Sequence, residues 1–89
     1  MWIEEKVTVK GEQGLHARPA RMLFETARRF SSEVHVLKDR TDADAKNIFD
    51  IMTLDASQGT ELLVRARGED AEEAVRAVVQ LISSEFKAS

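Results

Sequence analysis

Most of the reactive chemistry in this chain is concentrated in one stretch, Gly14-Leu15-His16-Ala17-Arg18-Pro19-Ala20. His16 offers an imidazole, a good nucleophile when neutral. Arg18 adds a permanent cation whose planar fork of donors suits phosphate oxygens. Pro19 would break a helix interior but is tolerated in a first turn, where its missing N–H has no intrahelical partner. It therefore places a helix start beside His16, and the free N–H groups and positive dipole end there form an anion site. Together these residues point to a phosphohistidine on His16. A lone histidine near a helix start is ordinarily a cap or a solvated side chain; Arg18 and Pro19 change that reading. His35 lies in a strand pattern without such neighbours and is read as structural. With no cysteine and two histidines lacking close ligand spacing, neither a metal nor a resident cofactor is expected.

The elements that must position this stretch follow from periodicity. Ile3, Val7 and Val9 share one face of a period-two pattern, with Glu4, Lys6, Thr8 and Lys10 on the other, which is a half-buried strand. Gly11 to Gly14 read as a loop, with Gly14 able to take a positive φ just before Leu15-His16. From Ala17 the period lengthens, and Ala20, Leu23, Phe24, Ala27 and Phe30 form one helical stripe that ends at Ser31-Ser32. Val34 and Val36 alternate with His35 and Leu37 in a second strand. Asp39 to Asp42 reads as a polar turn, and Ala43 to Ala45 as a short third strand. Asn47 is an N-cap for a short helix from Ile48 to about Leu54. Leu62, Val64 and Ala66 mark another strand, ended by Gly68. Ala71, Ala74, Val75, Val78, Leu81 and Ile82 define a last helix, with Glu69, Asp70, Glu72 and Glu73 suited to its positive end. Asp70 and Glu73 have capping-box spacing. The order β-α-β-β-α-β-α predicts an α+β domain, a mostly antiparallel sheet with helices stacked on one face.

Composition bounds the function. Eighty-nine residues, 43% hydrophobic and 33% charged, make a single soluble domain over residues 1–89, with one proline and four glycines leaving no room for a flexible linker. Thirteen basic against sixteen acidic side chains leave a net charge of −3, which argues against nucleic-acid binding, as does the lack of an aromatic strand pair for base stacking. No apolar run approaches the ~20 residues of a membrane span, so no membrane insertion is expected. Met1 to Lys6 lack the basic start and apolar stretch of a secretion signal, and the lack of cysteine suits a reducing compartment. The expected localisation is cytoplasmic.

The stretch Gly14 to Ala20 closely resembles the active-site signature of the HPr family, the histidine phosphocarriers of the bacterial phosphotransferase system. Phe30-Ser31-Ser32-Glu33-Val34, Ala45-Lys46-Asn47-Ile48, Leu54, Gly59 and Gly68-Glu69-Asp70-Ala71-Glu72-Glu73-Ala74 also fall where that family's pattern expects them. The resemblance implies an open-faced β-sandwich, a four-stranded antiparallel sheet covered on one face by three helices (βαββαβα). It implies a carrier rather than a turnover enzyme. Enzyme I, phosphorylated by phosphoenolpyruvate, would pass a phosphoryl group to Nδ1 of His16, and the carrier would deliver it to a histidine of an enzyme IIA domain. By the same match, Ala17 and Arg18 supply backbone N–H contacts to phosphate and Arg18 compensates charge. The family's shared docking surface maps onto Leu15, Ala20, Ile48, Phe49 and Met52, with a monomer as the default state. Ile48, Ile51, Met52 and Leu54 cannot all face inward on so short a helix, so an exposed apolar patch is expected independently. Arg21 and Arg28 would flank it and favour acidic partners.

Two departures from the family pattern matter. Asn47 stands where many members carry a regulatory serine; asparagine caps a helix well but cannot be phosphorylated, so no regulatory serine is expected. Leu23-Phe24-Glu25, Leu54-Asp55 and Glu72-Glu73-Ala74 resemble the nitrogen-related NPr branch as much as sugar-transport HPr, and Glu25 stands where the transport form has a basic residue. Two alternatives therefore stay beside the sugar-transport carrier: an NPr-type carrier with mainly regulatory output, and a regulator that acts by binding alone. Intact His16 and Arg18 argue against the last.

Overall fold

In a computed structural model of the protein, which describes residues 1–87, the elements run β1 (Ile3–Thr8), α1 (Arg18–Arg28), β2 (Glu33–Lys38), β3 (Thr41–Asp44), α2 (Ile48–Thr53), β4 (Glu61–Arg67) and α3 (Ala71–Ser83). The strands form one antiparallel sheet in the order β1-β4-β2-β3. Alternation sends Val7, Val34, Val36, Ala43, Leu62, Val64 and Ala66 to one face, where they are buried. The helices complete that core with Ala20, Leu23 and Ala27 from α1, Ile51 from α2, and Ala74, Val75, Val78 and Ile82 from α3. This is the expected α+β open-faced sandwich.

The opposite, helix-free face is a lattice of polar pairs. His35 Nδ1 lies 2.8 Å from Asp42 Oδ1 and its Nε2 lies 3.5 Å from Glu33 Oε2, while the Trp2 ring meets the imidazole edge-on at 5.7 Å. Arg65 and Arg67 stack over Trp2 at 4.1 and 4.6 Å. His35 is thus tied into cross-strand contacts and is structural. Glu5 stands opposite Val64 on the core-facing side of edge strand β1 yet is exposed, a charge that discourages another strand from pairing there.

Two expectations are corrected. The turn expected over Asp39 to Asp42 is shorter, because Thr41 pairs with Lys38 and Asp42 with Leu37, so β3 begins at Thr41 rather than Ala43. Asp39 makes this tight reversal by adopting φ 52. The Asp70–Glu73 capping box does not form: Asp70 makes no side-chain cap hydrogen bond to α3. Its carboxylate accepts instead from the Ser31 N–H at 3.0 Å, the Ser32 N–H at 2.9 Å and the Ser32 hydroxyl. The turn after α1 presents three donors at once, more than the cap offers. These bonds, the Ser32 hydroxyl first, hold the Asp70 carboxyl down at about 2.

Candidate functional site

The site is built by two chain segments that meet at the end of α1. Gly14 takes φ +61, turning the loop so that Leu15 drops into the core with no exposed surface and His16 points outward. The Leu15 N–H donates to the Ala56 carbonyl at 2.9 Å, tying this turn to the segment after α2. The His16 side chain is 49% exposed, and its Nε2 faces Asp55 Oδ1 at 3.3 Å. Lys38 Nζ donates to the Leu54 and Asp55 carbonyls, each at 3.1 Å, and so anchors the second segment to β2.

Ala17 follows His16 at φ 52, ψ −121, a conformation that costs a residue with a Cβ about 1–3 kcal/mol. From it α1 starts at Arg18, with Pro19 in the first turn as expected. No side chain caps this helix and no acid lies in its first turn. The other helices differ: Asn47 accepts from the Phe49 and Asp50 N–H groups at 3.0 and 3.3 Å, and α3 carries Glu72 and Glu73. The α1 start therefore keeps its partial positive charge available to an outside anion, with exposed Arg18 beside it. A depression of about 540 Å³ next to Arg18 is lined by Gly11 to Gly14, Pro19 and Glu85 to Lys87, without His16. The histidine lies outside that depression, half exposed at the surface.

The residues expected for docking separate into two groups. Ile48 and Met52 are partly exposed and Phe49 is 72% exposed, so α2 does carry an apolar patch, with Ile51 and Leu54 turned inward. Leu15 and Ala20, expected in the same surface, are fully buried. Leu15 is the residue that pins the loop, and Ala20 lies on the inner face of α1 with Leu23 and Ala27. On the outer face, Arg21 pairs with Glu25 at 3.4 Å and Arg28 stacks over Phe24 at 5.2 Å. Asp55 was not singled out as a site residue by sequence reasoning, since it lies 39 positions from His16 with no local signal linking them.

Known proteins resemble this chain in sequence and fold. The family model described as "PTS HPr component phosphorylation site" matches residues 3–84. The chain belongs to the HPr family, phosphocarriers of the bacterial phosphotransferase system, which are not turnover enzymes. Among its relatives, the HPr-like protein Crh of Bacillus subtilis is 39% identical over 93% of this chain and 98% of its own length. The phosphocarrier protein NPr of Escherichia coli is 37% identical over 97% of both chains. The crystal structure of HPr-C-His from Thermoanaerobacter tengcongensis superposes with a TM-score of 0.93 at 44% identity, covering 98% of each chain. Among the described residues no helix is long and apolar enough to cross a membrane.

Proposed function

We propose that His16 accepts a phosphoryl group on Nδ1 from phosphorylated enzyme I and delivers it to a histidine of an enzyme IIA domain. In each step the N–P bond of the donor imidazole breaks as the new N–P bond forms, and the donor nitrogen leaves with the bonding pair. Such a transfer needs in-line placement and charge neutralisation more than covalent machinery. The Ala17 and Arg18 backbone N–H groups and the Arg18 guanidinium supply the neutralisation on this side, and the partner completes the site. The observation that carries the reading is the half-exposed His16 immediately before a helix start that has neither cap nor acid.

The docking surface in this reading is the patch of Ile48, Phe49 and Met52, with Arg21 and Arg28 contributing charge. Its Arg21 is offset by Glu25, and that pair supports a second reading, a nitrogen-type carrier whose enzyme I accepts a less basic face. Asn47, occupied as a helix cap, leaves no hydroxyl for control by a serine kinase at that position.

The test is incubation with phosphoenolpyruvate, magnesium and purified enzyme I from the sugar and nitrogen systems separately, followed by intact-mass spectrometry. One acid-labile phosphoryl group, absent from His16→Ala, is expected, and the faster enzyme I assigns the branch. A folded protein left unlabelled by both active enzymes would point to regulation by binding alone.

A further inference from the structure

We propose that Asp55 is a positioning residue for His16: its carboxylate holds the ring proton on Nε2 and so presents the Nδ1 lone pair to the incoming phosphoryl group. The inference rests on the phosphocarrier reading and specifies how this chain prepares its nucleophile. A neutral imidazole donates from one nitrogen and accepts at the other, whereas a carboxylate only accepts. With Asp55 Oδ1 at 3.3 Å from Nε2, the favoured tautomer carries its proton there.

The placement of Asp55 is built rather than incidental. It adopts φ 50, a left-handed conformation that glycine would occupy with less strain. Lys38 Nζ holds the carbonyls on either side of this residue's amide link, and the next carbonyl, that of Ala56, takes the Leu15 N–H. The residue before His16 and the residue after Asp55 are therefore joined directly, so the backbone segments that carry the two side chains are held together.

In the unphosphorylated protein, with the ring neutral, the contact is a charge–dipole approach of Nε2 to the carboxylate at 3.3 Å, longer than an ideal hydrogen bond, as catalytic contacts commonly are before reaction. It strengthens during transfer. As the Nδ1–P bond forms and the donor's N–P bond breaks, the ring gains positive charge while its proton stays on Nε2, beside the carboxylate. Because Asp55 faces the opposite nitrogen, it adds this stabilisation away from the phosphoryl oxygens.

The test compares wild type with Asp55→Gly and Asp55→Asn. Glycine suits the backbone at this position, so the first variant removes the carboxylate without disturbing the fold. ¹⁵N NMR of the unphosphorylated proteins, at a pH where the ring is neutral, reads the tautomer from the His16 nitrogen shifts. Wild type should show the Nε2–H form, and Asp55→Gly should move the two shifts towards each other, with Asp55→Asn between. Single-turnover transfer from phosphorylated enzyme I should fall about two- to fivefold in Asp55→Gly, the range of an exposed charge contact. Unchanged ring shifts in Asp55→Gly, a wild-type proton on Nδ1, or an unchanged transfer rate would each overturn the proposal. If wild type shows the Nε2–H form but no enzyme I labels it, the carrier reading fails and this one falls with it; the tautomer data then identify which step was wrong.

Discussion

Gly14→Ala tests the junction on which the whole site depends. At φ +61 a side chain of L configuration costs ~1–2 kcal/mol. A Cβ at this position also runs into the Ala56 carbonyl oxygen and comes within 3.0 Å of the Ser57 Cα. Both obstacles are backbone, so relief requires the two segments to part, which strains the 2.9 Å bond from the Leu15 N–H to Ala56, worth ~1 kcal/mol. It also lifts the buried Leu15 side chain out of register with the core. The expected loss is ~2–4 kcal/mol, or roughly 10–25 °C in Tm for a domain of this size. Gly59→Ala is the internal control, because Gly59 has φ +92 but a Cβ there meets nothing within 4 Å. Urea denaturation and calorimetry of both variants separate backbone conformation from steric conflict. A Gly14→Ala loss no larger than that of Gly59→Ala would refute the argument that these segments are packed backbone to backbone. The same variant should slow phosphoryl transfer in its folded fraction, since His16 is carried on the residue after Leu15.

Asp70 makes a pH signature. Its folded-state value is depressed to about 2, so its stabilisation is present above the ordinary carboxylate range and is lost as pH falls through the folded value. Wild type should therefore be more stable than Asp70→Asn at neutral pH, and the two melting curves should converge between about pH 4 and 2; a gap independent of pH would contradict the carboxylate's role. Asn47→Ala removes acceptors for the Phe49 and Asp50 N–H groups and should cost ~1 kcal/mol in chemical denaturation, while Asn47→Asp should be close to neutral. Phe49→Lys, at a 72% exposed position, should leave stability within ~0.5 kcal/mol of wild type yet raise the KM for transfer from enzyme I; an unchanged KM would remove Phe49 from the docking surface.

Much of the molecule is legible from its order of residues. Pro19 restricts the start of α1 to one turn, and the stripe of Ala20, Leu23 and Ala27 tells which side is buried. Asn47 marks the first turn of α2, and the alternation in Leu62, Val64 and Ala66 marks β4. Even the cluster proposed to handle phosphate is local, because His16, Arg18 and the helix start lie within three positions. Local legibility also misled. Asp70 and Glu73 have the spacing of a cap, but the carboxylate had better donors at Ser31 and Ser32, 39 and 38 residues away. Leu15 and Ala20 are expected in the docking surface from their place in the sequence, and the fold buries both.

Periodicity, caps and proline act within one turn of helix or one strand, over a few covalent bonds, so residue order alone carries them. The meeting of His16 with Asp55 has no such short-range cause. It arises because β2 supplies Lys38, α2 delivers the chain to Asp55, and Ala56 receives the Leu15 N–H. Those contacts close loops of many residues, and their partners become neighbours only once the shared core has brought the segments together.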